Sequence, residues 1–97
     1  MPRKTPVKIP PYIVRLRNAI DEELSKLDIA PTEVSVEPIA RTNLFRFRIV
    51  APKFSKLRHI ERQDLVWRVV RLHLGDDEQL RISTITTVTP SEAKEVA

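Results

Sequence analysis

The stretch FSKLRHIERQDLVW, residues 54 to 67, gathers the side chains best able to do chemistry. Lys56, Arg58, His59 and Arg62 lie close together, with Lys53 just upstream and Gln63 directly after. Cations ahead of a helix suit phosphate, because the free backbone N–H groups of a helix start also favour anions. Arg46 and Arg48 stand two residues apart, which a strand places on one face. That face can serve a polyanion, or the two arginines can pair across a hairpin with Glu33, Ser35 or Glu37. His59 carries an imidazole, the one weak metal candidate, yet no second ligand accompanies it and a surface imidazole is the simpler reading. His73 falls near a helix end, where it suits the terminal carbonyls.

Other chemistries find no footing. The chain has no cysteine, so it has no disulfide, thiolate ligand or cysteine nucleophile. Ser55, Ser83 and Ser91 show no arranged His/Asp partner, and Glu22 and Glu23 read as solvated helix charges. The single glycine, Gly75, rules out a phosphate-cradling glycine loop and the GxxG clamp of RNA-binding KH domains. The expectation is a non-enzymatic protein. A net charge of +4 comes from 17 basic and 13 acidic residues, interspersed, which permits polyanion binding without demanding it. No apolar run reaches membrane-spanning length, and MPRKTPVKIPP has no signal-peptide core. A cytosolic protein is expected, or an organelle stroma or matrix protein whose targeting segment is missing.

At 97 residues the chain is one domain. Residues 1–11 read as a flexible basic arm, 12–93 as the folded domain and 94–97 as a tail. Ile13, Leu16, Ile20, Leu24 and Leu27 recur every three or four positions and predict a helix ending near Asp28. TEVSVEP alternates and predicts a strand closed by Pro38. LFRFRIV alternates again, with Phe45, Phe47 and Ile49 inward, so the two strands form an antiparallel hairpin. A second helix is predicted from Glu61 to Leu74, with Leu65, Val66, Val69, Val70 and Leu72 as its apolar stripe. Gly75 fits a helix C-terminal cap. LRISTITTVT predicts a third strand, in which Leu80 and Ile82 fall out of phase with Ile85, as a bulge or edge strand would. Thr89, Pro90 and Glu92 form a capping-box pattern before a short final helix. The order is α-β-β-α-β: an α+β two-layer sandwich, a three-stranded mixed sheet with helices on one face. Phe45, Phe47, Ile49, Leu65, Val69, Ile20 and Leu24 are the expected core.

From Val14 to Ala93 the chain resembles the BolA-like family. FRFRIVAPKF is similar to that family's second strand, loop and phenylalanine. IERQDLVWRVV resembles its helix start: apolar, variable, Arg, His, Arg, variable, Val, aromatic. LRISTITTVTPSEA resembles its last strand and closing Thr-Pro-x-Glu. The resemblance implies a class II KH-like arrangement. This is a divergent member: the signature histidine falls at Gln63, the next arginine at Asp64, and a glycine two residues after the phenylalanine at Lys56. The loop IARTNLF also lacks the His or Cys of many members.

The family pairs with monothiol glutaredoxins around a shared [2Fe–2S] cluster, with the signature histidine as ligand. Cluster ligation needs thiolate or imidazole, and a glutamine amide is a poor substitute. No cofactor is expected. Family links to DNA imply a regulatory role in nucleic-acid binding, and the charge of this chain places the nucleic-acid or partner surface at Arg46, Arg48, Lys53, Lys56, Arg58, His59, Arg62 and Gln63. The alternative is a metal-free protein–protein adaptor using segment 52–63 with Trp67. A glutaredoxin partner in iron–sulfur handling is the third reading, and the third strand's edge offers a place for oligomerisation.

Overall fold

The computed structural model describes residues 9–96. Residues 1–8 of the expected basic arm lie outside them. The elements are α1 (Pro11–Lys26), β1 (Glu33–Pro38), β2 (Phe45–Val50), a 3-10 helix (Pro52–Lys56), α2 (His59–His73), α3 (Asp76–Gln79), β3 (Ile82–Val88) and α4 (Pro90–Val96). The α+β sandwich read from the sequence is therefore present. α4 also takes in residues 94–96, which the sequence had set apart as tail.

Pro11 opens α1, where its missing N–H costs nothing. Ile13, Leu16, Ile20 and Leu24 bury one face completely. Leu27, expected on that face, is the C-cap and is exposed, because the chain turns away there. The turn is a Schellman motif: Ile29 N–H donates to the Leu24 carbonyl at 2.8 Å and Asp28 N–H to that of Ser25 at 3.1 Å. Asp28 takes the left-handed position with φ 63°, where glycine is usual.

β1 and β2 pair antiparallel, with Val34 opposite Ile49, Val36 opposite Phe47 and Glu37 opposite Arg46. β3 joins β2 in parallel, the crossover running through α2. The strand order is β1-β2-β3, so β2 is central. The register slips between Phe45, opposite Ile82, and Arg46, opposite Thr84. Ser83 is thus the extra residue of a bulge, which is why Ile82 and Ile85, three apart, both face inward.

α2 begins at His59, two residues before the predicted start. Its buried positions are Arg62, Val66, Val69 and Val70, and Leu65 is half-buried against the core. Leu72 was expected in the stripe but lies exposed. Two positions past Val70 is a rotation of about 200° at 3.6 residues per turn, so it falls on the far side. Leu74 takes the buried place instead. Gly75 is not a left-handed cap: at φ −74° it precedes α3, a short helix absent from the sequence reading. Leu80, expected in the third strand, lies outside β3 and is exposed. No helix among the described residues is long and apolar enough to cross a membrane.

Candidate docking face

The basic segment runs over the 3-10 helix and into the first turn of α2. Four of its cations, Lys53, Lys56, Arg58 and His59, are exposed. Lys53 donates to Asp28 at 2.8 Å, across the end of α1. Arg58 is the N-cap of α2, and its own N–H is taken by the Glu61 carboxylate at 2.8 Å. That is half of a capping box, since an arginine side chain has no acceptor to complete it. The helix start expected to attract phosphate is thus already occupied by a carboxylate of the same chain.

Arg62 departs furthest from expectation. Its residue is only 4% exposed, so it does not belong to the surface basic run. Nε donates to the carbonyls of Phe54 at 2.9 Å and Leu57 at 3.1 Å, which pins the segment between the 3-10 helix and α2. Nη1 donates to the Thr87 carbonyl at 3.2 Å and to Glu92 Oε1 at 2.8 Å, reaching β3 and α4. The guanidinium also lies over the Phe54 ring, 5.6 Å from its centroid. Leaving it exposed would strand the turn carbonyls it satisfies. Its burial shapes the segment that carries the other four cations.

Arg46 and Arg48 lie on the opposite side of the molecule, on the sheet face away from α1 and α2. Arg46 pairs with Glu37 at 3.1 Å, as the hairpin register allows. Arg48 stands opposite Ser35 and is half-buried. The eight residues singled out in the sequence therefore do not form one patch.

No protein-family pattern and no curated protein sequence matches this chain. Solved structures do. BolA1 from Arabidopsis thaliana matches at 26% identity and a TM-score of 0.64, over 87% of this chain and 98% of that one. The BolA domain of SufE1 from Arabidopsis thaliana matches at 20% identity and TM-score 0.61, over 88% and 99%. BolA1 from Mus musculus matches at 18% identity and TM-score 0.57, over 98% and 80%, and at these lower identities the shared feature is the fold. The chain is BolA-like.

Within this BolA-like domain, Gln63 is tied inward. Nε2 donates to the Ile85 carbonyl at 2.7 Å and to Thr87 Oγ1 at 3.2 Å. Oε1 accepts from Trp67 Nε1 at 3.3 Å. The partners fix the amide's orientation, since a carbonyl only accepts and an indole N–H only donates. Val88 offers its carbonyl to Ala51 on the β2 side. Alternation then turns the Ile85 and Thr87 carbonyls to the free edge of β3. Gln63 and Arg62 fill those two carbonyls, so a strand pairing at this edge, one of the expected options, would have to displace them.

The sequence missed the carboxylates that partner the cations. Asp28 is named only as a helix end, and Glu92 only as part of a capping box. That box forms: Thr89 N–H donates to Glu92 Oε1 at 2.9 Å, and Glu92 N–H to Thr89 Oγ1 at 3.2 Å. The Arg62 hydrogen bond, then the Thr89 N–H, holds the Glu92 carboxyl below its ordinary 4.5, and the charge of His59 adds to this. Lys53 likewise holds Asp28 below 3.8, and the Arg58 N–H holds Glu61 below 4.5. All three bind a proton more readily unfolded than folded. Their stabilisation is present above the ordinary values and is lost as pH falls through the depressed ones. The thermal midpoint should stay level above about pH 5 and drop below it. Glu92→Gln should shallow that drop. Circular dichroism melts across this range check it, and an unaltered slope in the variant would count against the Arg62–Glu92 linkage.

Proposed function

We propose that this BolA-like domain is a non-enzymatic, metal-free adaptor that binds a protein through the 3-10 helix and the first turn of α2. The observation that carries this is Ile60, 69% exposed among Lys56, Arg58 and His59 and next to half-buried Leu57. An apolar side chain in the middle of a cation-rimmed segment suits a protein surface, with burial at its centre and charge at its rim. It gains nothing against phosphates.

The donor set does not fit the [2Fe–2S] cluster that the family resemblance implies. Gln63 spends its amide on β3 and Trp67. The loop at residues 39–44 offers neither imidazole nor thiolate. His59 is exposed at the start of α2, without a second ligand beside it in sequence. Anaerobic reconstitution with a monothiol glutaredoxin should give no stable cluster absorption or visible dichroism. A stable shared cluster lost on His59→Ala would overturn this.

Nucleic-acid binding is the second reading, favoured by Lys53, Lys56, Arg58 and His59 sharing one exposed segment. Capture from host lysate separates the two. A protein partner should be retained after nuclease treatment and lost with Ile60→Asp. If capture instead disappears with nuclease, the nucleic-acid reading takes its place. In that case fluorescence anisotropy on duplex DNA should show Arg58→Ala flattening the log–log salt slope by about 0.9, one phosphate contact.

A further inference from the structure

Two exposed features lie at opposite ends of α2, and neither includes Ile60. The first is a shallow groove between the end of α1 and the 3-10 helix. Leu27, Ile29 and Leu57 wall it, Asp28, Lys53 and Lys56 rim it, and it encloses about 230 Å³. This is smaller than the ~300–1,000 Å³ of small-molecule sites and suits a single anchoring side chain. The Schellman turn builds it, leaving Leu27 54% exposed beside the Lys53–Asp28 pair. Lys56 faces the same carboxylate, so two ammonium groups share one negative charge and the rim keeps a positive surplus.

The second feature is the turn around α3. Leu80 is 74% exposed. Asp76 and Asp77 precede it by four and three residues, on the same side of one helical turn. An exposed leucine flanked by carboxylates is the complement of an apolar groove rimmed by lysines. One molecule cannot bring the two together. α2 separates them with 15 residues, about 22 Å at 1.5 Å per residue.

We infer that the α1/3-10 groove receives Leu80 of a second copy, with that copy's Asp76 and Asp77 against Lys53 and Lys56. The contact joins two different surfaces, so it either repeats head-to-tail or, when both pairs form at once, closes as a twofold dimer. It is also small, and belongs with weak, concentration-dependent association. Lys53 and Lys56 serve both this contact and the docking face, so self-association covers part of the surface a partner would use. This inference shares Lys53, Lys56 and Leu57 with the adaptor surface but is tested separately, through Leu27 and Leu80, whereas the adaptor reading is tested through Ile60.

Sedimentation velocity over a concentration series tests it. The wild type should show an average mass rising with concentration, and the rise should shrink several-fold at high salt, because the rim pairs are exposed. Leu80→Ser and the double variant Leu27→Ser/Lys56→Glu should each stay monomeric, and circular dichroism should show both folded, since all three positions are exposed. Mixing the two variants should restore one intact contact, giving heterodimers and nothing larger. A wild type that remains monomeric at millimolar concentration overturns the inference. So does association that survives both variants, which would put the contact elsewhere.

Discussion

Arg62→Ala should lower the unfolding free energy by about 2–4 kcal/mol, most of it from the carbonyls that lose their donor, since Glu92 is about one-third exposed and can be solvated once its partner is gone. The substitution leaves the Leu57 and Thr87 carbonyls without their donor, takes one of two donors from the Phe54 carbonyl, which keeps the Leu57 N–H, and frees Glu92 from its cation. Each stranded buried acceptor costs about 1–3 kcal/mol on its own, although water entering the space recovers part of it. Arg62→Lys should rescue little. An ammonium cannot reproduce a planar fork that reaches two carbonyls from Nε and two further acceptors from Nη1. Urea unfolding followed by the fluorescence of Trp67, the single tryptophan, measures both variants. Arg58→Ala is the control: it is exposed, its pair with Glu61 is a surface pair, and its midpoint should hardly move. An Arg62→Ala midpoint as unmoved as that of Arg58→Ala would return Arg62 to the surface and reopen it as a phosphate contact.

The contrast between those two arginines shows where the sequence was legible. Arg58 and Arg62 look alike in a charge count, and both sit in the run before the apolar stripe of α2. What separates them is one helical turn: Arg62 is four residues before Val66 and so continues the buried face. The carboxylate that makes burial tolerable is thirty residues away on α4, and no local pattern links it to Arg62. The strands were readable because alternation is local. Val34, Phe45, Phe47 and Ile49 follow from period two, and the hairpin register brings Arg46 against Glu37 as charge pairing suggested. The bulge was also readable, since Ile82 and Ile85 could not both face inward without an extra residue between them. Leu72 and Leu80 were misplaced for the opposite reason: apolar type was taken for burial, and both are largely exposed. Gln63 was read as a departure from the resembled pattern. Its work as an edge lock needed the position of β3, which only the fold supplies.

Phe47→Ala should cost about 3–5 kcal/mol, as large-to-small changes do at fully enclosed sites. Phe47 has no exposed surface. It lies on the central strand, opposite Val36 on β1 and Ile85 on β3. Those neighbours are held by ladders on both sides, so the backbone has little freedom to collapse into the space a lost ring leaves, and the cavity term persists. Phe45 offers the comparison within the same strand. It is 6% exposed and sits at the register slip, where the sheet is already irregular. Phe45→Ala should therefore cost less, because that end of β2 can relax around the bulge. Phe47→Leu should recover most of the loss, since it refills much of the volume. The same urea series measures all three, and an unchanged denaturant slope shows that the variants lose stability rather than compactness. Equal losses at positions 45 and 47 would mean that the central strand does not set the cost. A negligible loss at Phe47 would sink the register on which the inward face of the sheet depends.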